Sequence, residues 1–465
     1  MDRNIVVLCL DSVRKDYFDA HANRIRDLAS VSLEETRAAS SWSTPSHASM
    51  FTGKLPSEHG YHRYNNDFAD LSVDETFLAD IPHETTGISA NVFAGPEYGF
   101  DTIFDNFTVV STGKRYPGGL DPNRYVLDHE GGTITAMASY FGAALRSEHP
   151  VESLANGFAA AVNVATRDAP LPKLLDDGAN TVTREVIRTL DEREEPSFIF
   201  TNFADAHVPL RPIRGFDRSL FDAPLDWSTD TEDVWTVMEN PESHEMYLRH
   251  HRDLYVAAID YLDRQIASLV RNIRTNIGDP TTIIVTADHG ENLGEAENDG
   301  LIGHKSSLSE ALLHVPCYLI DPPDGTEVTT DGYTSLRDIG TLVRGFDEEA
   351  DVDLGREHVH AEVVGMSPGP NPDADEAYWD RMLRAAYGEN EKYVWDSLGS
   401  YQCYTVDPER PCWQELAAED IGLPEWAEEP FSEDIQSYKQ LAKRETHKRE
   451  VDDHTEQRLA DLGYR

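Results

Sequence analysis

Lysine is scarce in this chain: nine of its 40 basic residues are Lys and the rest Arg, against 85 acidic residues. Cysteine is scarcer still, with only Cys9, Cys317, Cys403 and Cys412 among 465 residues. No two of them stand in C-x-x-C spacing, which removes the usual zinc-ribbon and dithiol redox readings. Cys9 and Cys317 lie in apolar runs and read as buried small hydrophobes. Cys403 and Cys412 are the one pair for which a disulfide is open. There is no run of about 18 apolar residues, so no membrane span is expected. The opening segment MDRNIVVLCLDSVR breaks its short apolar run at Asp11, unlike a signal peptide, and a cytoplasmic location is the expectation.

The charge is one-sided. A formal net charge of -45 repels nucleic acid and anionic membranes, and neither is expected as a partner. The acidic residues run through the whole chain with no acidic tail. Diffuse acidity with little Lys resembles proteins of extreme halophiles. At molar salt the Debye length is only about 3 Å, so an anionic substrate is not turned away. A hydrophobic share of 39% over this length is enough for a large domain plus a smaller one.

What is present is an alternation of strand-like and helix-like segments. NIVVLCL (4–10) is a continuous β-branched apolar run, as in a strand buried on both faces of a parallel sheet. ETTGISANVF (84–93), PSFIFTNF (196–203), TTIIVTA (281–287) and VPCYLI (315–320) read as further strands. Between them, Val182, Val186, Ile187 and Leu190 recur at helical spacing, as do Tyr255, Ile259, Leu262, Ile266, Leu269 and Ile273. This order predicts a three-layer α/β/α core around a mostly parallel sheet. The expected organisation is an α/β domain over 1–325, in which 108–175 is an insertion or cap. A smaller subdomain with short strands follows over 326–429, then a charged helical tail over 430–465. Within the subdomain, Ser335 is the expected cap of a helix over 335–345. HVHAEVV (358–364) reads as a strand and KYVWDSLGSYQCYTVD (392–407) as a hairpin.

In a parallel α/β sheet, ligands bind beyond the carboxyl ends of the strands. Three of the predicted strands end in metal-ligand or acid-base residues: one at Asp11, one at Asp205-Ala-His207, one at Asp288-His289-Gly290-Glu291. A single Asp at a strand end is more often a helix cap or a solvated carboxylate; three such ends with two His carry more weight. In SWSTPSHASMFTG (41–53), Pro45 biases Thr44 toward an extended conformation, and Ser46 then caps a helix starting near His47. Ser43 would sit just before a helix N-terminus, where backbone N–H groups favour an anion. Beside a divalent cation, such a hydroxyl is a plausible nucleophile for a tetrahedral oxyanion ester. Read alone, the segment is more often an ordinary Ser/Thr cap in a polar loop.

Taken in order, these residues resemble the sulfatase-like branch of the alkaline phosphatase superfamily. Its nucleophile motif C/S-x-P-S-R, followed by T-G, is matched by Ser43-Thr44-Pro45-Ser46-His47 and Thr52-Gly53. Its first metal-ligand strand is matched by LCLDSVR with Asp11, and its DHGE-type segment by Asp288 and His289. The middle His that contacts the substrate anion is matched by His207, and the later Lys or His by His304 and Lys305. The resemblance covers roughly residues 4–415, apart from 108–175. It implies an alkaline-phosphatase-like core and one divalent cation (Ca, Mn, Mg or Zn) held by Asp11, Asp288 and His289. The implied substrate is a small anionic ester, a sulfated or phosphorylated glycan or metabolite. Catalysis would fall to Ser43, His207, Lys305 and His304. Apart from the resemblance, His47 is expected to pack by the nucleophile loop, close to the substrate, and Asn65 or Asn66 to reach the substrate. A phosphodiesterase or phosphotransferase on the same fold, and a non-catalytic binder of anionic glycans, are the alternatives.

Two departures bear on the chemistry. Sulfatases usually carry paired Asp at the first site, where this chain has Asp11-Ser12, and often Asp-Asn at the second, where it has Asp288-His289. An imidazole in place of an oxygen ligand moves the site from Ca²⁺ toward Mn²⁺, Zn²⁺ or Mg²⁺. His47 stands where the family has the Arg of its formylglycine signal, so Ser43 is expected to attack unmodified. His358 and His360 alternate on one predicted strand and leave a second metal site open.

Overall fold

The structure, a computed structural model, describes residues 3–449 apart from 112, 130–132, 167–168 and 367–374, together with 451–452, 455–456 and 459. A seven-stranded sheet forms its centre: β1 (Asn4–Leu10), β2 (Val31–Ser32), β3 (Glu84–Ser89), β4 (Asn106–Val109), β5 (Ser197–Phe203), β6 (Thr281–Thr286) and β7 (Cys317–Ile320). The spatial order is β2-β7-β6-β1-β5-β3-β4. β1 lies between β5 and β6, parallel to both, with Ile5 opposite Phe198 and Thr282. β3 is parallel to β5 and to β4. β7 runs antiparallel to β6 and to β2. Every residue of β1, β5 and β6 is buried, which is why those segments read as largely apolar or β-branched runs without alternation.

Two groups of helices pack with this sheet, giving three layers. One includes α1 (Lys15–His21), α3 (Ala179–Glu192) and the 32-residue α4 (Glu245–Asn276). The other includes α2 (Ser43–Thr52) and α5 (Ile339–Glu348). α4 buries Tyr255, Ile259, Leu262, Ile266, Leu269 and Ile273, the stripe visible in the sequence. The 108–175 segment includes three helices, at Pro122–Leu127, Thr133–Ala144 and Pro150–Thr166.

A second, antiparallel sheet runs in chain order through β8 (Val359–Val364), β9 (Met382–Tyr387), β10 (Glu391–Asp396), β11 (Tyr401–Val406) and β12 (Gln414–Glu419). Val359, Ala361, Val363, Leu383 and Ala385 join the main core. Val364, Met382, Ala386 and Trp395 instead cluster with Ile435 and Ala442, both from the tail helix α6 (Ile435–Arg444). The alternating pattern of β8 and β9 thus serves two cores at once.

Some expectations are corrected. Cys403 and Cys412 are both free and buried. Ser335 caps a 3₁₀ turn, accepting from Arg337 N, and α5 begins only at Ile339. Strand β3 ends at Ser89, four residues short of the expected limit, because the chain turns there through hydrogen bonds between Ser89 and Asn91. His358 stacks flat on Trp426, with centroids 3.9 Å apart, and belongs to no metal-type cluster among the described residues.

Candidate active site

Because β1, β5 and β6 are parallel and adjacent, their carboxyl ends deliver Asp11, His207 and Asp288 to one edge of the sheet. Ser12 follows Asp11 in the left-handed region, φ 61°. Tyr255 of α4 holds that turn, accepting from Arg14 N at 2.9 Å and donating to Ser12 O at 2.5 Å. After β6, Gly290 fits where no other residue does: a Cβ there would lie 1.9 Å from Ala311 O. The Gly of the DHG segment is therefore a packing requirement.

Asp11, Asp288 and His289 are buried, with ligand atoms within 4.8 Å of one another. His289 Nδ1–H donates to Gly290 O at 2.8 Å, which leaves the Nε2 lone pair facing the two carboxylates. Nε2 lies 3.8 Å from Asp11 Oδ1 and 3.6 Å from Asp288 Oδ2. Asp288 Oδ1 accepts from Ser12 N and His289 N, whereas Oδ2 is buried with no hydrogen-bond partner. An orphaned buried carboxylate oxygen beside an imidazole nitrogen suits a cation. Burial and the nearby Asp288 push the Asp11 carboxyl well up. Burial acts the same way on Asp288, but His289 and His47 outweigh it and hold that carboxyl down. His289 is the converse: burial opposes its charge, and Asp288 and Asp11 raise its pKa.

Ser43 is the first residue of α2, not the residue before the helix. Trp42 precedes it without a side-chain cap, and Pro45 is accommodated in the first turn. Ser46, expected as the cap, instead donates its hydroxyl to Asp288 O at 2.5 Å and ties the helix to β6. Ser43 Oγ lies 3.3 Å from His289 Nε2. Gly53 ends the helix in the left-handed conformation, donating to Ser49 O, which accounts for the Thr-Gly that closes the motif.

The structure groups His207, His304 and Lys305 beside this trio. The His304 ring is 4.9 Å from that of His289 and 5.4 Å from that of His207. Lys305 Nζ sits 5.0 Å over the Trp235 ring. Burial lowers the pKa of His207, His304 and Lys305. Two expected substrate contacts are placed elsewhere. His47 is fully buried behind Ser43, where its Nδ1–H donates to Ser43 O at 2.7 Å and its Nε2 accepts from Asn202 at 3.1 Å. Asn65 donates its amide to Gly60 O within its own turn. Asp205 accepts from Asp177 N and Ala179 N and so anchors the start of α3.

Asn91 and His251 carry no expectation from the sequence, and Glu291 stands there only as part of a strand-end segment, with no role of its own. Asn91 donates to Asp11 Oδ2 at 2.5 Å and to Ser43 Oγ at 3.0 Å. It stands two residues beyond β3, a fourth strand ending at the same edge, so the strand-end rule applied to 84–89 would have found it. Glu291 is buried, with neither oxygen hydrogen-bonded, and its Oε2 lies 3.6 Å from His304 Nδ1. His251 of α4 is buried with both ring nitrogens unbonded, and Glu291 acts on it electrostatically. A lone His on an amphipathic stripe gives no signal of this kind.

The family model named Sulfatase matches residues 3–343. No curated protein sequence is significantly similar to the chain. Among solved structures it is similar to the phosphonate monoester hydrolase of Agrobacterium radiobacter. That match has 16% identity and TM-score 0.56, and covers 86% of this chain and 89% of the other. It is also similar to a protein solved with its substrate D-glucosamine-2-N,6-O-disulfate, at 13% identity and TM-score 0.57, covering 87% and 91%. A phosphonate monoester hydrolase from Silicibacter pomeroyi matches at 14% identity and TM-score 0.54, covering 87% and 89%.

Proposed function

The chain belongs to the sulfatase family, and from that premise we propose that it is a metal-dependent hydrolase of sulfate esters or related phosphate and phosphonate esters, acting through Ser43. The observation that carries this reading is one cluster. Ser43 Oγ, at the head of a helix, is held by Asn91 beside Asp11, Asp288 and His289, with Asp288 Oδ2 unpaired. The family generally binds a divalent metal. Two carboxylates and an imidazole favour Mn²⁺, Zn²⁺ or Mg²⁺ over Ca²⁺. When bound, such a cation lowers the pKa of a neighbouring hydroxyl and polarises a substrate oxygen.

The remaining work falls to the chain's own groups. Asn91 orients the Ser43 hydroxyl and His47 anchors its backbone. Lys305, His207 and His304 face the anionic ester and offset charge as it develops. Burial keeps the two imidazoles mostly neutral near pH 7, and an anionic ester brought beside them raises their pKa. One of them then protonates the departing alcohol. Ser43 Oγ gives up its proton to solvent and bonds to sulfur or phosphorus as the ester oxygen leaves with the bonding pair. Water then adds at that atom and the seryl oxygen leaves with its bonding pair, taking a proton from that water. A sulfated serine resists that second step, whereas a phosphoserine is opened by attack at phosphorus. With Ser43 unmodified, phosphate and phosphonate esters are therefore the better substrates.

The test is a panel of aryl sulfate, phosphate monoester, phosphodiester and phosphonate substrates at high salt, with Ca²⁺, Mg²⁺, Mn²⁺ and Zn²⁺ in turn. Ser43→Ala should abolish turnover; undiminished turnover overturns the nucleophile. Peptide mass measurement should show Ser43 intact, and a loss of two hydrogens there would reveal formylglycine and restore sulfate esters as the better substrates.

A further inference from the structure

A second group of metal-type ligands lies outside the trio described above. His250 and Asp253 stand three residues apart on α4 and so share a face of the helix. Asp222 comes from the preceding segment, where Phe221 and Ala223 on either side are buried and hold its exposed carboxylate in place. The ligand atoms of the three residues all lie within 4.8 Å of one another.

The geometry around His250 points to a shared ion. The residue is 7% exposed, and its Nδ1 has no hydrogen-bond partner. Nδ1 nevertheless lies 3.2 Å from Asp222 Oδ1. A short N···O separation without hydrogen-bond directionality is what two ligands of one cation display. Zinc bonds of about 2.0–2.2 Å at tetrahedral angles put neighbouring donors about 3.3 Å apart. The Trp227 ring packs edge-on against the imidazole at 5.4 Å and fixes its plane. Arg249 takes Asp222 Oδ2 at 2.7 Å, leaving Oδ1 toward His250. Burial and the charge of Asp222 push the Asp253 carboxyl up, a repulsion that a cation would relieve.

We propose that Asp222, His250 and Asp253 form a second cation site, separate from the Ser43 cluster, for a borderline divalent ion such as Zn²⁺. One imidazole and two carboxylates neutralise a dication and select it over Ca²⁺, which takes oxygen ligands. The bound ion would clamp the segment carrying Asp222 to α4, a structural role independent of whether the chain hydrolyses esters.

The test uses the full chain carrying Asp11→Asn and Asp288→Asn, so that the first trio no longer competes. Stripped with chelator and titrated at high salt with Co²⁺, this protein should bind one equivalent. It should show the visible d–d bands of a four-coordinate site, lose them to Zn²⁺, and melt at a higher temperature when loaded. Adding Asp222→Asn and Asp253→Asn, neither of them a core residue, should remove the bands, the stoichiometry and the thermal shift together. His250→Ala should do the same. With the trio intact, Asp222→Asn/Asp253→Asn should lower zinc content by one equivalent and leave turnover unchanged. Absence of cobalt binding in the Asp11→Asn/Asp288→Asn protein, or binding indifferent to Asp222 and Asp253, overturns the site.

Discussion

Asn91 donates its side-chain amide to Asp11 at 2.5 Å. The same nitrogen reaches Ser43 Oγ at 3.0 Å, so one amide sets the spacing between a carboxylate of the trio and the candidate nucleophile. A hydrogen bond to a charged group is worth about 1.5–3 kcal/mol. Asn91→Ala should lower kcat roughly ten- to a hundredfold with KM little changed. Since it also removes the hydrogen bond that Phe93 N donates to Asn91 Oδ1, it should lower the melting temperature. A variant of undiminished kcat would show that Asn91 does not position the serine.

Chelation should abolish turnover, and one of Mn²⁺, Zn²⁺ or Mg²⁺ should restore it better than Ca²⁺, because the trio contains an imidazole. Asp288→Asn should weaken binding of the restoring metal and remove activity even at saturating metal. Restoration of full activity to the stripped enzyme by Ca²⁺ alone would contradict the assignment of His289 as a ligand.

Gly290→Ala should destabilise the protein by about 3 kcal/mol or more, since the added Cβ would lie 1.9 Å from the Ala311 carbonyl oxygen. Chemical denaturation gives the number directly. A stability loss under about 0.5 kcal/mol, the usual range of surface substitutions, would mean that the 288–291 loop can move away from Ala311.

Glu310 ties the antiparallel sheet to the segment that carries Arg37. It pairs with Arg37 and with Lys392 of β10, each at 3.0 Å, and accepts from Tyr387 of β9 at 2.5 Å. Burial alone would push its carboxyl up, but Arg37, Lys392, His314 and the Tyr387 hydroxyl hold it down to about 2. Burial lowers the Lys392 ammonium despite this pairing, and Arg37 is the partner that stays charged throughout. An unfolded Glu titrates near about 4.3, so the depressed native value contributes stability above that pH. About 3 kcal/mol should be lost as pH falls from there toward 2. Glu310→Gln should cost about 3–5 kcal/mol at neutral pH and flatten the acid limb of the stability curve. An unchanged acid limb in the variant would assign the acid loss to other carboxylates.

Periodicity made most of the core legible. β1, β5 and β6 are buried on both faces, and their composition says so without alternation. The stripe on α4 and the alternation in β8 likewise report burial that each segment imposes on its own side chains. Asp11, Asp288, His289 and Ser43 could be named because strand ends and the Ser-x-Pro-Ser spacing are local features. Their assembly into one cluster follows from β5, β1 and β6 being neighbours in parallel register.

Asn91 stands two residues past a strand end and Glu291 within a strand-end segment, but their roles, like that of His251, lie in contacts between segments far apart in sequence. The same holds for His47, whose packing turns it inward onto Ser43 O and Asn202. Asn65, too, is committed to Gly60 by its own turn. The sequence by itself determined which residue types carry the chemistry and at which strand ends they stand. Only the tertiary structure decided which of them meet, because hydrogen-bond direction and burial are properties of the assembled neighbourhood and not of any one segment.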